Sequence, residues 1–197
     1  MDWSNFFSTL KDIIASVDSI IGILIAFFLG LSAWKKQLLS KDKYDLSKRL
    51  LRSAYKLRDA IEYVRNPWIS ITEQTNAAEK VGANIEETQK DHNKSIKNVY
   101  FVRWQKIAEA LSDLDTESLE AEVFWGKDAT KAQEHLRSCV KELSVNLNYY
   151  LNMVKEVKVD FDVIYDSMDR DNTFNVKIKN AIEDIKIFLE PHLKIKK

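Results

Sequence analysis

The chain is poor in residues that interrupt or cross-link a fold: one cysteine, two prolines and four glycines among 197 residues. A lone thiol, Cys139, cannot close an intrachain disulfide, which excludes a disulfide-built module and fits a reducing compartment. So few turn-formers disfavour a sheet-rich fold. Signatures of nucleotide and acyl-transfer chemistry are missing: there is no Walker-type phosphate loop, no GxGxxG and no GxSxG. His92, His135 and His192 stand far apart, and no CxxC, HxxH or HExxH pattern exists, so no metal or other cofactor is expected. His135 and Cys139 are spaced i, i+4, and a core thiol beside a surface histidine is the simpler reading of that pair. Asp160, Asp162, Asp166, Asp169 and Asp171 lack the glycine and terminal glutamate of a calcium loop, and read as a solvated stretch. Charge of one sign is not in excess either, with 30 basic against 30 acidic residues.

What is present is one long apolar run, residues 19–34 (SIIGILIAFFLGLSAW), closed by Lys35 and Lys36. Extended back to Ile13 through Asp18, it would make a helix of about 33 Å, enough to cross a hydrocarbon core of about 30 Å. A cleavable signal would need a basic start and a small-x-small site, whereas Asp2, Lys11 and Asp12 precede this run and Trp-Lys-Lys follows it. A buried core helix seldom carries so long an apolar stretch. The expectation is a single membrane span. Lys11 lies before it; Lys35, Lys36, Lys41, Lys43, Lys48, Arg49 and Arg52 come soon after. By the positive-inside rule the N-terminus is outside and the C-terminal part cytoplasmic, with Trp34 at the inner interface and Trp3, Phe6 and Phe7 near the outer one.

On a helical wheel Ser8, Asp12, Ala15, Ser19, Gly22, Ala26, Gly30, Ala33 and Gln37 fall within about an 80° sector. The bulky residues, among them Ile13, Val17, Leu24, Phe27, Phe28 and Leu31, lie elsewhere. Lipid supplies no hydrophobic drive for helix association, so small residues that allow close approach favour a homo-oligomer over a plain tether. Asp18 adds an ionisable group that faces either a bundle interior or the outer headgroups; the sequence leaves both open.

The expected organisation is an anchor over residues 1–40 and an all-α cytoplasmic bundle over residues 41–197. Apolar residues recur at Leu46, Leu50, Ala54, Leu57, Ile61 and Val64 in a helix over 43–65 that Pro67 ends. Residues 68–93 are polar, with a weak helical signal at Ala77, Val81 and Ile85. A helix over 95–111 should bury Val99, Trp104, Ile107, Ala108 and Leu111, and a short one over 117–125 stops at Gly126. Asp128 is the expected cap of a helix to about residue 155, burying Leu136, Cys139, Val140, Leu143, Leu147 and Leu151. Residues 157–163 alternate strictly, but a strand there has no partner; an irregular segment or a continued helix is expected. A last helix covers 173–189, stopped by Pro191.

Two features bear on function. One is the basic face Lys35, Lys36, Lys41, Lys43, Lys48, Arg49, Arg52, Lys56 and Arg58, which suits anionic membrane lipid, with Lys35, Lys36, Lys41 and Lys43 as headgroup contacts. RNA would be drawn by the same electrostatics, but the zero net charge and the lack of interleaved aromatics favour lipid over direct nucleic-acid binding. The other is Arg65-Asn66 at a helix end, followed by Pro67, Trp68, Ile69 and Ser70. This pair in an all-α domain resembles the HEPN family, whose ribonuclease members carry Arg-Asn and, a few residues on, a histidine. Here Ser70, Ile71 and Thr72 occupy the histidine's candidate places, which leaves no general acid/base of suitable pKa there. Arg65 can alternatively cap preceding carbonyls or pair with Glu62.

One N-terminal span followed by a helical domain with a degenerate Arg65-Asn66 motif resembles the accessory membrane proteins of type VI-B CRISPR systems. That resemblance implies a bacterial inner-membrane protein that works beside an RNA-guided ribonuclease and enhances anti-phage defence by forming a pore or depolarising the membrane. The missing histidine after Arg65-Asn66 sets the expectation of no enzymatic activity. A membrane-tethered HEPN-like ribonuclease and a non-enzymatic scaffold are the alternatives.

Overall fold

The computed structural model describes the backbone of residues 3–153, 157–166 and 172–193, and side chains from residue 26 onward except Gln89. Among these residues every regular element is helical: α1 (Trp3–Val64), α2 (Ile71–Lys80), α3 (Ile85–Lys90), α4 (His92–Trp125), α5 (Lys127–Leu151), α6 (Phe161–Ile164) and α7 (Thr173–Leu193). The all-α class is as the composition demands. The chain divides into two compact units, Met1–Tyr44 and Asp45–Lys197, with α1 contributing to both.

In the first unit, α1 is helical from Trp3 onward. Between residues 26 and 39 its large apolar side chains Phe27, Phe28, Leu29, Trp34, Leu38 and Leu39 are all exposed. Among the described residues no helix is long and apolar enough to cross a membrane. The expected span begins at residue 13, so its first half lies outside the residues whose side chains are described.

The second unit is a bundle around one core. The 3.6-residue spacing of Leu46, Leu50, Ala54, Leu57, Ile61 and Val64 places all six on the inner face of α1, each fully buried. On α5, Leu136, Cys139, Val140, Leu143 and Leu147 are buried as expected, and Leu151 is half-buried. Helix α5 packs on both α7 and α4; α7 contributes Phe174, Ile178, Ala181, Ile182, Ile185 and Leu189.

Several boundaries differ from the sequence expectations. The helices expected over 95–111 and 117–125 are one, α4, because residues 112–116 (SDLDT) contain no glycine or proline to break it and Leu114 among them continues the buried face. Its buried face runs through Val99, Arg103, Ile107, Ala110, Leu114, Ser118 and Ala121. Trp104 and Leu111 are only half-buried and Ala108 is exposed. Val99 and Ile107 are buried as expected; the other three were assigned to the core because apolar residues occupy two faces of this helix. Asp128 is not the cap of α5. That position is Gly126, at φ 67° and ψ −158°, a region open essentially to glycine alone, while Asp128 sits in the first turn and pairs with Lys131 at 3.1 Å. Helix α5 ends at Leu151 rather than near residue 155. Residues 158–160 are irregular, and Asp160 then caps the single turn α6. Pro191 lies inside α7, in a last turn that runs on to Leu193.

Candidate functional site

Arg65 closes α1, the element whose apolar face is locked into the core, and its side chain is fully buried. Its guanidinium donates from Nε to the Val163 carbonyl at 2.8 Å and from Nη2 to the carbonyls of Asp162 and Tyr165 at 2.9 and 3.1 Å. Nη1 donates to Asn175 Oδ1 and lies 3.8 Å from the Asp166 carboxylate. The Phe174 ring covers the guanidinium face at 4.8 Å. Asn172 caps α7 by accepting from the backbone N–H groups of Phe174 and Asn175, and Asn175 in turn donates to Asp166 at 2.8 Å. The backbone closes the same knot, since Asp166 N–H donates to the Arg65 carbonyl at 2.9 Å. Burial pulls the arginine's pKa down, and the nearby Asp166 opposes that shift.

Each of the three guanidinium nitrogens of Arg65 is thus engaged with α6, α7 or the residues that follow α6. It neither caps the carbonyls of α1 nor pairs with Glu62, the two local roles its position suggested. An arginine that must reach a phosphate needs free donors, and this one has spent them on holding the irregular segment against the bundle. Asn66 is exposed; its Oδ1 accepts from the Trp68 N–H at 2.9 Å and shapes the loop after α1.

A second buried arginine, missed in the sequence, does the same work on the other side of that loop. Arg103 is 2 % exposed. It grips Glu73 with two bonds, Nε to Oε1 at 2.7 Å and Nη2 to Oε2 at 2.9 Å, the fork-to-fork geometry that only arginine offers. The same guanidinium donates to the carbonyls of Val64, Asn66 and Trp68. Burial works against its charge, but the bonds to Glu73 outweigh that and its pKa is raised; the same bonds hold the Glu73 carboxyl below its usual range. The available signal was a charged residue between Val99 and Ile107 on one helical face.

Part of the expected basic face is taken up by ion pairs. Arg49 bonds Glu117 at 2.9 Å and also Glu120, Lys56 meets Asp113 at 2.9 Å, and Arg58 bonds Asp59 at 2.6 Å. The first two residues tie α1 to α4, each exposed pair contributing about 0.2–1 kcal/mol. Lys35, Lys36 and Lys41 are exposed, whereas Lys43 is half-buried. Of the small-residue stripe, Ala26, Gly30 and Ala33 are exposed, and a methyl group on Gly30 would meet nothing within 4 Å. Asp12, Ala15, Asp18, Ser19 and Gly22 lie outside the residues whose side chains are described.

Along the junction of α5 and α7 runs a groove of about 600 Å³ with Cys139 and Ala181 in its lining. His135 Nδ1 meets Asp184 Oδ2 there at 2.6 Å. Burial pushes the Cys139 thiol up to about 11, so it is neither a ready nucleophile nor a ready metal ligand at neutral pH. Among the described residues no three His, Cys, Asp or Glu side chains gather as a metal site.

Comparison with protein-family models, with curated proteins and with solved structures finds no match for this chain.

Proposed function

We propose that the chain is a single-pass membrane protein that self-associates through its anchor and perturbs the bilayer, with the helical bundle as its cytoplasmic assembly platform. The observation that carries this reading is the stretch 26–39 of α1, where Phe27, Phe28, Leu29, Trp34, Leu38 and Leu39 are 46 to 65 % exposed. Fully burying one such side chain is worth about 1.5–3 kcal/mol. Six of them left roughly half in water forgo on the order of 5–9 kcal/mol, which a hydrocarbon environment would recover. Trp34 followed by exposed Lys35 and Lys36 has the chemistry of an interfacial belt facing anionic headgroups.

The exposed Ala26, Gly30 and Ala33 supply a surface on which copies can approach closely, as lipid-embedded helices do. The resemblance to the type VI-B CRISPR accessory membrane proteins supports membrane perturbation as the output, in bacterial anti-phage defence beside an RNA-guided ribonuclease. The burial of Arg65, with each guanidinium nitrogen already bonded, weighs against an RNA-cleaving alternative.

Cysteine trapping in membranes tests the interface. Ala26→Cys and Gly30→Cys should crosslink between copies, and Leu24→Cys and Phe28→Cys should not; equal trapping on both faces refutes it. Ion flux through proteoliposomes should fall with Gly22→Leu, and unchanged flux would count against a pore built on this stripe. Replacing the anchor by a polyleucine span separates assembly from tethering: retained function would mean the anchor only tethers.

A further inference from the structure

The loop after α1 and the first turn of α2 hold two large apolar side chains in solvent on a fixed backbone. Trp68 is 80 % exposed and Ile71 77 %. Arg103 bonds the Trp68 carbonyl at 2.7 Å, Asn66 accepts from the Trp68 N–H, and Ser70 Oγ accepts from the Glu73 N–H at 3.1 Å to cap α2. A contact made by such a preorganised loop loses little ordering entropy.

On α4, α2 is received on the flank that bears Val99 and Val102. At 100° per residue, Phe101 and Trp104 lie on the order of 160° away, on the opposite flank. There they form with α5 a groove of about 320 Å³ lined by Tyr100, Phe101, Trp104, Leu147 and Leu151, with Lys97 also in the lining. Phe101 is itself 59 % exposed. Lys97 Nζ reaches Asn152 Oδ1 at 3.4 Å, next to Asn148. The groove therefore offers aromatic and aliphatic surface with one ammonium beside it, the combination that suits an indole through ring packing and cation–π attraction.

We propose that Trp68 and Ile71 of one copy seat in the α4–α5 groove of the next copy, so that bundles associate head to tail. This rests on the self-association proposed above and names the contact that would organise it outside the membrane. Knob and groove are different patches on opposite flanks of α4, so the contact is heterologous and repeats from copy to copy; it closes into a ring when the rotation permits. One tryptophan and one isoleucine bury less than a standard protein interface. Anchors held in one bilayer raise the effective concentration of the bundles, and a weak contact then suffices.

The test uses the full-length chain in proteoliposomes, with cysteines placed beside the contact so that its apolar residues remain. Copies carrying Thr72→Cys mixed with copies carrying Asn148→Cys should form a disulfide on mild oxidation, and neither copy alone should. Adding Trp68→Ala should weaken the association by on the order of tenfold or more, as loss of a buried tryptophan anchor does. Trapping of Thr72→Cys with itself, or no mixed disulfide, overturns the proposal. Trapping at Ala26→Cys or Gly30→Cys in parallel separates the two ideas: if it persists while the mixed disulfide fails, only the head-to-tail contact is lost, and if both fail, self-association itself is refuted.

Discussion

Replacing Arg65 by alanine tests whether this residue holds the fold or serves chemistry. The guanidinium is fully buried and satisfies three backbone carbonyls, Asn175 Oδ1 and, at 3.8 Å, the Asp166 carboxylate. Removing it strands those acceptors and opens a void under the Phe174 ring. Each buried acceptor left without a donor costs about 1–3 kcal/mol, but water and relaxation recover part, so the costs do not simply add. Breaking a buried charged contact by deleting one partner typically costs 3–5 kcal/mol, the range expected for Arg65→Ala. For a domain of this size that corresponds to a fall in melting temperature on the order of 6–20 °C. Circular dichroism of the full-length chain in detergent measures it. Arg65→Lys keeps the charge but offers three donors in place of five, and should recover only part of the loss. An Arg65→Ala protein that melts within about 2 °C of the parent would refute the reasoning, because a fully bonded buried arginine cannot be removed that cheaply.

Three further outcomes are expected. Because Arg103 holds the Glu73 carboxyl below its ordinary value, the stability from this pair is complete above the unfolded glutamate pKa of about 4.3 and is lost as pH falls through the lower folded value; Glu73→Gln should flatten that limb of an acid titration of stability. Cys139, buried with its thiol raised to about 11, should resist thiol reagents at neutral pH in the folded chain and react fully in denaturant; rapid native labelling would contradict its burial. Gly126→Ala should destabilise by about 1–3 kcal/mol in a denaturant titration, from backbone strain alone, since a Cβ there has no atom within 4 Å to clash with.

Helical class, the long apolar run near the N-terminus and the inner faces of α1 and α5 were legible in the order of residues. In α1 beyond residue 45 and in α5 the signal is local periodicity, with the apolar residues on one face; in residues 19–34 it is an unbroken apolar run. Helix α4 was harder: Phe101, Trp104, Ala108, Leu111 and Leu119 decorate one side while Val99, Ile107, Ala110 and Leu114 decorate another, and period alone cannot rank two apolar faces. The caps failed where a glycine outcompeted a better-known capping residue, as Gly126 did beside Asp128.

What the sequence determined by itself is what depends on neighbours three or four residues away: helices, their breaks, and a run of side chains that water does not favour. What only the tertiary structure decided is the fate of the charges. Arg65 meets acceptors about a hundred positions along the chain, Arg103 meets Glu73 and three carbonyls at and just past the end of α1, and Arg49 and Lys56 are drawn to α4 rather than left to lipid. A guanidinium reads the same on the page whether it faces solvent, a phosphate or a buried carbonyl. Desolvation and the directional geometry of its donors separate these cases, and both are set by which segments the packed core brings together.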